Sequence, residues 1–329
     1  MNTTRAPRSD PELAALVARE LERAPSPAAR ALADEILRRH GGACRAILYY
    51  GSGLRAGDEG DVVLDLLVVV DAYRGFYTRR GHALLNAVLA PNVFYLETTL
   101  GERTVRAKYA VVSGAHLARG TSPRTLQVYW WGRFSQPCLL VHARDAAARS
   151  AVTLALAQAV ATFIARAIPL VPNEFHAAEL WQTGLAACYA TELRAERPGN
   201  ARGLVELTGR RSENITRAAL VHSRELSLPI GDMRVSDEPA GARFHSSVTP
   251  AERRRSRFIW AVRRVHGKAL HLLRLVKSAF TFEGGVDYLL WKIERHSGVR
   301  VEPSARVRRH PLIFGWATLW KLRRLGAFR

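Results

Sequence analysis

Apolar residues along this chain follow two different periods. Over residues 11–22 and 27–39 they recur at helical spacing, with Pro25-Ser26-Pro27 dividing the two stretches and Gly41-Gly42 closing the second. Residues 43–50 and 62–71 are instead nearly continuous apolar runs, which predict neighbouring strands in a mostly buried sheet. Helical spacing returns at 79–90, ending before Pro91. Residues 92–99, where Val93 and Tyr95 alternate against Phe94 and Leu96, and residues 104–113 predict two further strands. Their connection, Leu100-Gly101-Glu102-Arg103, has hairpin length. A helix around 123–129 and a strand at 138–142 complete the expected sheet domain.

From Asp145 the chain turns Ala-rich and helical, with breaks expected at Pro169-Leu170-Val171-Pro172 and Arg197-Pro198-Gly199. Residues 226–248 are punctuated by Pro, Gly and Ser and predict a long loop or linker. A basic helix then runs from 251 to about 282, with Ile259, Val262, Val265, Ala269, Leu272, Leu273 and Val276 near helical spacing. Gly284-Gly285 breaks it before a second helix at 286–296. The expected division is N-terminal helices at 1–42, a sheet domain at 43–145, a helical domain at 146–225, a linker at 226–250 and a basic region at 251–329. The fold class is α+β.

Charge changes this picture more than composition does. The 329 residues carry a formal net charge of +20, which points to a polyanionic partner. From residue 251 to 329 there are 19 Lys/Arg against 5 Asp/Glu, 19 less 5 giving +14, so most of the excess lies in the last quarter. The tail 311–324 joins an apolar stretch bearing Trp316 and Trp320 to a basic cluster. With Arg263, Arg264 and Lys268, it suits an anionic membrane interface, where rings sit at headgroup level and cations meet lipid phosphates. The competing reading is a basic amphipathic helix packed on the protein's own core. No stretch approaches 18 uninterrupted apolar residues, and Met1–Pro7 lacks a signal-peptide apolar region, so any membrane contact is expected to be peripheral, on the cytoplasmic face. Cys44, Cys138 and Cys188 are far apart and odd in number, which argues for small core residues in a reducing compartment.

Candidate chemistry concentrates at Tyr50-Gly51-Ser52-Gly53-Leu54 and Leu64-Asp65. Gly51 and Gly53 let backbone N–H groups approach a polyphosphate, and the Ser52 hydroxyl adds a donor. Asp65 interrupts an apolar strand, where an unpaired charge is costly, and a carboxylate there can hold Mg²⁺ shared with phosphates. A plain tight turn with a strand-edge acid is the alternative. Lys108, mid-strand between apolar residues, needs a phosphate or a carboxylate; an ion pair with Asp65 or Asp71 competes with a substrate phosphate.

Read in order, these segments resemble the nucleotidyltransferase superfamily. With Asn92-Val93-Phe94-Tyr95, Lys108-Tyr109-Ala110-Val111-Val112-Ser113 and Gly132-Arg133-Phe134-Ser135-Gln136-Pro137 they are similar to the mitochondrial translocator assembly and maintenance protein family, the mitochondrial-type phosphatidate cytidylyltransferases. Cys188-Tyr189-Ala190-Thr191-Glu192-Leu193-Arg194 resembles that family's Tyr-Ser-x-Asp-x-Arg segment, and residues 268–278 its basic C-terminal helix. The chain departs from the broad superfamily at Leu67, where a second acid is usual, and from the family at Leu96-Glu97, where Asn is usual.

The resemblance implies a nucleotidyltransferase-like mixed sheet followed by a helical, winged-helix-like domain and basic C-terminal helices. It implies transfer of CMP from CTP to phosphatidic acid, giving CDP-diacylglycerol and pyrophosphate with Mg²⁺. Gly51, Ser52 and Gly53 would cradle the CTP phosphates and Asp65 would hold Mg²⁺. Lys108 would meet a substrate phosphate, and Arg133 would offer a bidentate fork to another. Glu192 would be a second metal ligand from the helical domain, with Glu97 competing for that role and Asp71 read as a strand-end cap. Three other readings compete: a nucleotidyltransferase with another phosphorylated acceptor, a non-catalytic lipid-binding relative, and a nucleic-acid binder. The last is disfavoured, because no helix-turn-helix, RNP or zinc signature is present.

Overall fold

The computed structural model describes residues 11–56, 62–193, 209–225, 233–237, 241–281 and 302–304, with positions 307, 320 and 324. In chain order the first elements are α1 (Pro11–Leu21), α2 (Pro27–His40), β1 (Cys44–Tyr50), α3 (Ser52–Ala56) and β2 (Val63–Val70). Then come α4 (Tyr73–Phe76), α5 (Arg80–Val88), β3 (Asn92–Leu100), β4 (Arg103–Ser113), α6 (Gly114–Thr121), α7 (Tyr129–Phe134) and β5 (Leu139–Ala143). The remainder is mostly helical: α8 (Ala146–Ala167), β6 (Glu174–His176), α9 (Ala177–Tyr189), α10 (Gly209–Glu225), β7 (Arg234–Ser236), β8 (Arg243–His245) and α11 (Pro250–Thr281). The protein is thus mixed α+β, with more helix than strand. It divides into two units, one of residues 1–25 and 113–272, the other of residues 26–112 and 273–329.

The second unit holds the sheet strands in the order β3-β4-β2-β1. Ser26 starts α2 by accepting a hydrogen bond from the Ala29 N–H at 3.1 Å, and Pro27 occupies the first helical position, where no N–H is needed. Ala29, Leu32, Ala33 and Ile36 then form its buried stripe. β1 and β2 pair antiparallel, with Leu48 opposite Leu67 and Tyr50 opposite Asp65. Their burial is near-continuous, as expected for strands covered on both faces; only Arg45, Val63 and Asp65 are less than fully buried. β3 and β4 form the predicted hairpin, its turn allowed by a φ of +61° at Gly101.

In the first unit, Asp145 caps α8 by accepting from the Ala148 N–H at 2.6 Å. This helix and the turn after it, Ala146–Leu170, form the one stretch among the described residues long and apolar enough to cross a membrane, and 78% of its apolar 18-residue window is buried, as in a core helix. Gly184 of α9 lets the two helices approach: a Cβ there would come 2.6 Å from Phe163 Cζ.

Two expectations need correction. Residues 123–128 are not helical; the helices here are α6, started by Ser113 accepting from the His116 N–H, and α7, anchored by buried Trp130, Trp131 and Phe134. The expected linker also contains β7 and β8, which form a small antiparallel sheet with β6 in the order β6-β8-β7. Each strand is only three residues long, and its core is one ring pair, Phe175 stacked on Phe244 at 5.7 Å. So short a signal is drowned by the surrounding Pro and Gly. The expected helix at 286–296 lies outside the described residues.

Candidate active site

The second unit brings Gly51, Ser52, Gly53, Asp65 and Lys108 to one end of β1. Gly51 follows the strand with a φ of +91°, a conformation open to glycine and strained for other residues. It also leaves room: a Cβ at this position would stand 2.9 Å from Asp65 Oδ2. Gly53 is confined in the same way, since a Cβ there would come 2.7 Å from the Tyr49 hydroxyl. Ser52, between them, is exposed.

Asp65 alternates with buried Leu64 and Leu66, so it lies on the less covered face of β2, and Lys108 alternates likewise between Ala107 and Tyr109 on β4. Because β4 and β2 are neighbours, the two side chains meet, Lys108 Nζ lying 3.5 Å from Asp65 Oδ1. The ion pair weighed from sequence is therefore present. Both side chains keep about a quarter of their surface exposed, 24% and 27%, so the pair is reachable by a ligand.

One participant escaped the sequence reading. Tyr95 lies directly opposite Lys108 in the hairpin register and donates its hydroxyl to Glu97 at 2.6 Å. Burial, then the neighbouring Glu97 carboxylate, push the Tyr95 hydroxyl pKa upward, keeping it a neutral donor. Glu97 also accepts from Arg106 at 3.0 Å, so the acid expected to compete for a metal is tied into a Tyr95–Glu97–Arg106 cluster. The hairpin turn at Gly101 fixes this register, and period-two alternation from it was the signal available.

Arg133 and Glu192 belong to the first unit and are joined to each other. Arg133 donates to Glu192 Oε1 at 2.9 Å and stacks over the Tyr129 ring. The guanidinium expected to fork a phosphate and the carboxylate expected to bind a metal thus occupy one another.

The expected membrane residues divide. Arg264 and Lys268 are exposed on α11, and Trp320 is exposed, while Trp316 lies outside the described residues. Arg263 corrects the expectation. It is only 3% exposed and lies over the rings of Trp131 and Trp260, and burial lowers its pKa to about 10. On the outer face of α11, Phe258, Val262, Val265 and Leu272 are exposed at helical spacing. Arg254, Arg255, Arg257, Arg264 and Lys268 border that stripe, and Glu252 is the helix's lone acid. The three cysteines are free and buried, as expected for core residues, and burial raises the Cys44 thiol to about 11.

Compared with protein-family models the chain matches none, and no curated protein matches it.

Proposed function

We propose that this chain is a peripheral membrane nucleotidyltransferase of the phosphatidate cytidylyltransferase type, moving CMP from CTP to phosphatidic acid with release of pyrophosphate. The observation that carries the reading is the facing of Asp65 and Gly51, with Lys108 alongside. Magnesium is commonly held by one or two carboxylates together with substrate phosphates. Asp65 fits that pattern, since its Oδ2 borders the space in front of Gly51 that a Cβ would fill. Bound there, Mg²⁺ would neutralise charge on the CTP phosphates.

The protein's own groups then have defined tasks. Backbone N–H groups of the 51–53 turn and the Ser52 hydroxyl donate to the β- and γ-phosphates. Lys108 pairs with Asp65, and its ammonium attracts the incoming lipid phosphate. A lipid phosphate oxygen attacks the α-phosphorus, and the bond to the bridging oxygen of the leaving pyrophosphate breaks. No strong general base is required, because a phosphomonoester is already anionic at neutral pH. Catalysis is then mainly positioning and electrostatics. The exposed apolar stripe and cation row of α11 supply both components that stable peripheral binding to anionic lipid needs.

The test is pyrophosphate release from CTP and Mg²⁺, with and without phosphatidic acid vesicles, comparing wild type with Asp65→Ala. Release that requires the lipid and vanishes in the variant supports the reading. Vesicle binding without release overturns it in favour of a non-catalytic lipid-binding protein, and release to a soluble acceptor in favour of another transferase.

A further inference from the structure

At the other end of β1, wholly within the second unit, lies a cavity of about 440 Å³. Gly41–Ala43 line it and lead directly into β1, whose seven residues separate it from Gly51 by roughly 20 Å at strand rise. Its volume falls within the range of small-molecule sites. Among the described residues no Asp or Glu lines it, whereas Arg39, His40, Arg79 and His82 do. Glu35, behind Arg39, is shared by Arg38 and Arg39 at 2.7 Å each, so that trio keeps a net positive charge.

The floor is aromatic. His40 stacks on Phe76 at 4.1 Å, and Phe94 stacks on Tyr109 at 5.2 Å. The wall is braced from behind by buried amides. Asn86 donates to the Tyr77 hydroxyl at 2.8 Å and to the Val111 carbonyl, and accepts from the Asn92 N–H at 2.7 Å. Asn92 in turn donates to the His82 carbonyl. Asn86 is satisfied at both ends of its amide, whereas Asn92 Oδ1 is buried without a hydrogen bond; the bonds that are made fix the Tyr77 and His82 side of the cavity.

Three glycines open onto this space with no packing or dihedral demand for glycine. Beyond the neighbouring chain, a Cβ at Gly41, Gly42 or Gly75 would meet no atom within 4 Å, and none has a positive φ. Gly41 sits in ordinary right-handed helical backbone, φ −48° and ψ −44°. Glycine without a packing or dihedral demand, beside cations and aromatic rings, leaves open the space that a side chain would take.

We propose that this cavity is a second anion site, for an organic phosphate of mononucleotide size whose ring lies against the aromatic floor and whose phosphate meets the Arg39 and Arg79 rim, with the side-chain-free Gly41–Gly42 turn leaving room for it. This site is independent of the proposed transferase centre, and its test is arranged to keep the two apart. AMP serves as probe in calorimetric titrations, with adenosine and inorganic phosphate as its two halves. The proteins are wild type, Asp65→Ala, and Asp65→Ala combined with Gly41→Ala or with Arg79→Ser. The expected result is one AMP bound by Asp65→Ala protein, at least about tenfold tighter than either half. Adding Gly41→Ala or Arg79→Ser should weaken it at least about tenfold with an unchanged melting temperature. Absence of AMP binding at millimolar concentration in Asp65→Ala overturns the proposal, as does binding that neither added substitution alters. Loss of transferase activity in Asp65→Ala has no bearing on either outcome.

Discussion

Lys108 Nζ reaches Asp65 Oδ1 at 3.5 Å from the neighbouring strand, so the carboxylate proposed to hold Mg²⁺ already has a cationic partner. Removing either partner should separate chemistry from stability. The pair is long at 3.5 Å and both side chains are about a quarter exposed, so it contributes less than about 1 kcal/mol, and Asp65→Asn or Lys108→Gln should each shift the melting temperature little. Pyrophosphate release should fall about 10²-fold or more in Asp65→Asn, the scale of losing one aligned electrostatic group. Lys108→Gln should lose less and still respond to Mg²⁺, since the carboxylate remains. Steady-state kinetics against Mg²⁺ concentration, with melting curves alongside, distinguish this from a purely structural pair, for which activity would follow stability.

Gly51→Ala should damage the site twice over. A side chain at a φ of +91° is strained by about 1–3 kcal/mol, and its Cβ would stand 2.9 Å from Asp65 Oδ2. Either the carboxylate moves or the turn does. The expectation is a lower melting temperature together with a rise in the Mg²⁺ concentration needed for half-maximal activity. An unchanged Mg²⁺ response in folded protein would remove Asp65 from the metal role.

Much of this site was legible because its residues break a local rule. An acid in an apolar strand and Gly-Ser-Gly at a strand end stand out against a period-two background, and the hairpin turn at Gly101 fixes which residues face one another. What stayed hidden depends on distant partners. Nothing near Arg263 in sequence announces that it stacks over Trp131, more than a hundred positions earlier, rather than facing solvent. Glu192 has the same history: a carboxylate on a helical turn has no visible commitment until Arg133 is brought beside it. The β6–β8 pairing was hidden for another reason, since a three-residue strand with one buried ring offers no period to detect.

The Arg133–Glu192 pair invites a direct test of structural against metal-binding use. This pair is hydrogen-bonded at 2.9 Å with side chains 25% and 17% exposed, so loss of one partner leaves a partly desolvated charge without its bond, at a cost of about 1–3 kcal/mol. Glu192→Gln should lower the melting temperature, and Arg133→Met combined with Glu192→Met should recover part of the loss, because no lone charge remains. A metal ligand would behave differently. Glu192→Gln would then change the Mg²⁺ dependence of activity while leaving the metal-free melting temperature unchanged.

Lys277 makes stability rise with pH above neutrality. It is 6% exposed, and its ammonium donates to the Leu89 and Pro91 carbonyls, while Arg274 beside it donates to the Ala90 carbonyl. Burial, then the charge on Arg274, lower its pKa from 10.5 to about 7. Below pH 7 the group is charged in both the folded and unfolded chains, and the cost of burying it is present in full. Between pH 7 and 10.5 the unfolded chain holds more of this proton, so unfolding takes protons up and stability increases with pH. The buried Cys44 thiol acts oppositely, but only from its ordinary value of 9.0 towards about 11, which leaves pH 7–9 as the clean window. Across it the wild type should gain about 2 kcal/mol relative to Lys277→Met, which lacks the titrating group. Chemical denaturation of both proteins at pH 7, 8 and 9 measures the difference, and parallel stability curves would show that Lys277 stays protonated in its buried position.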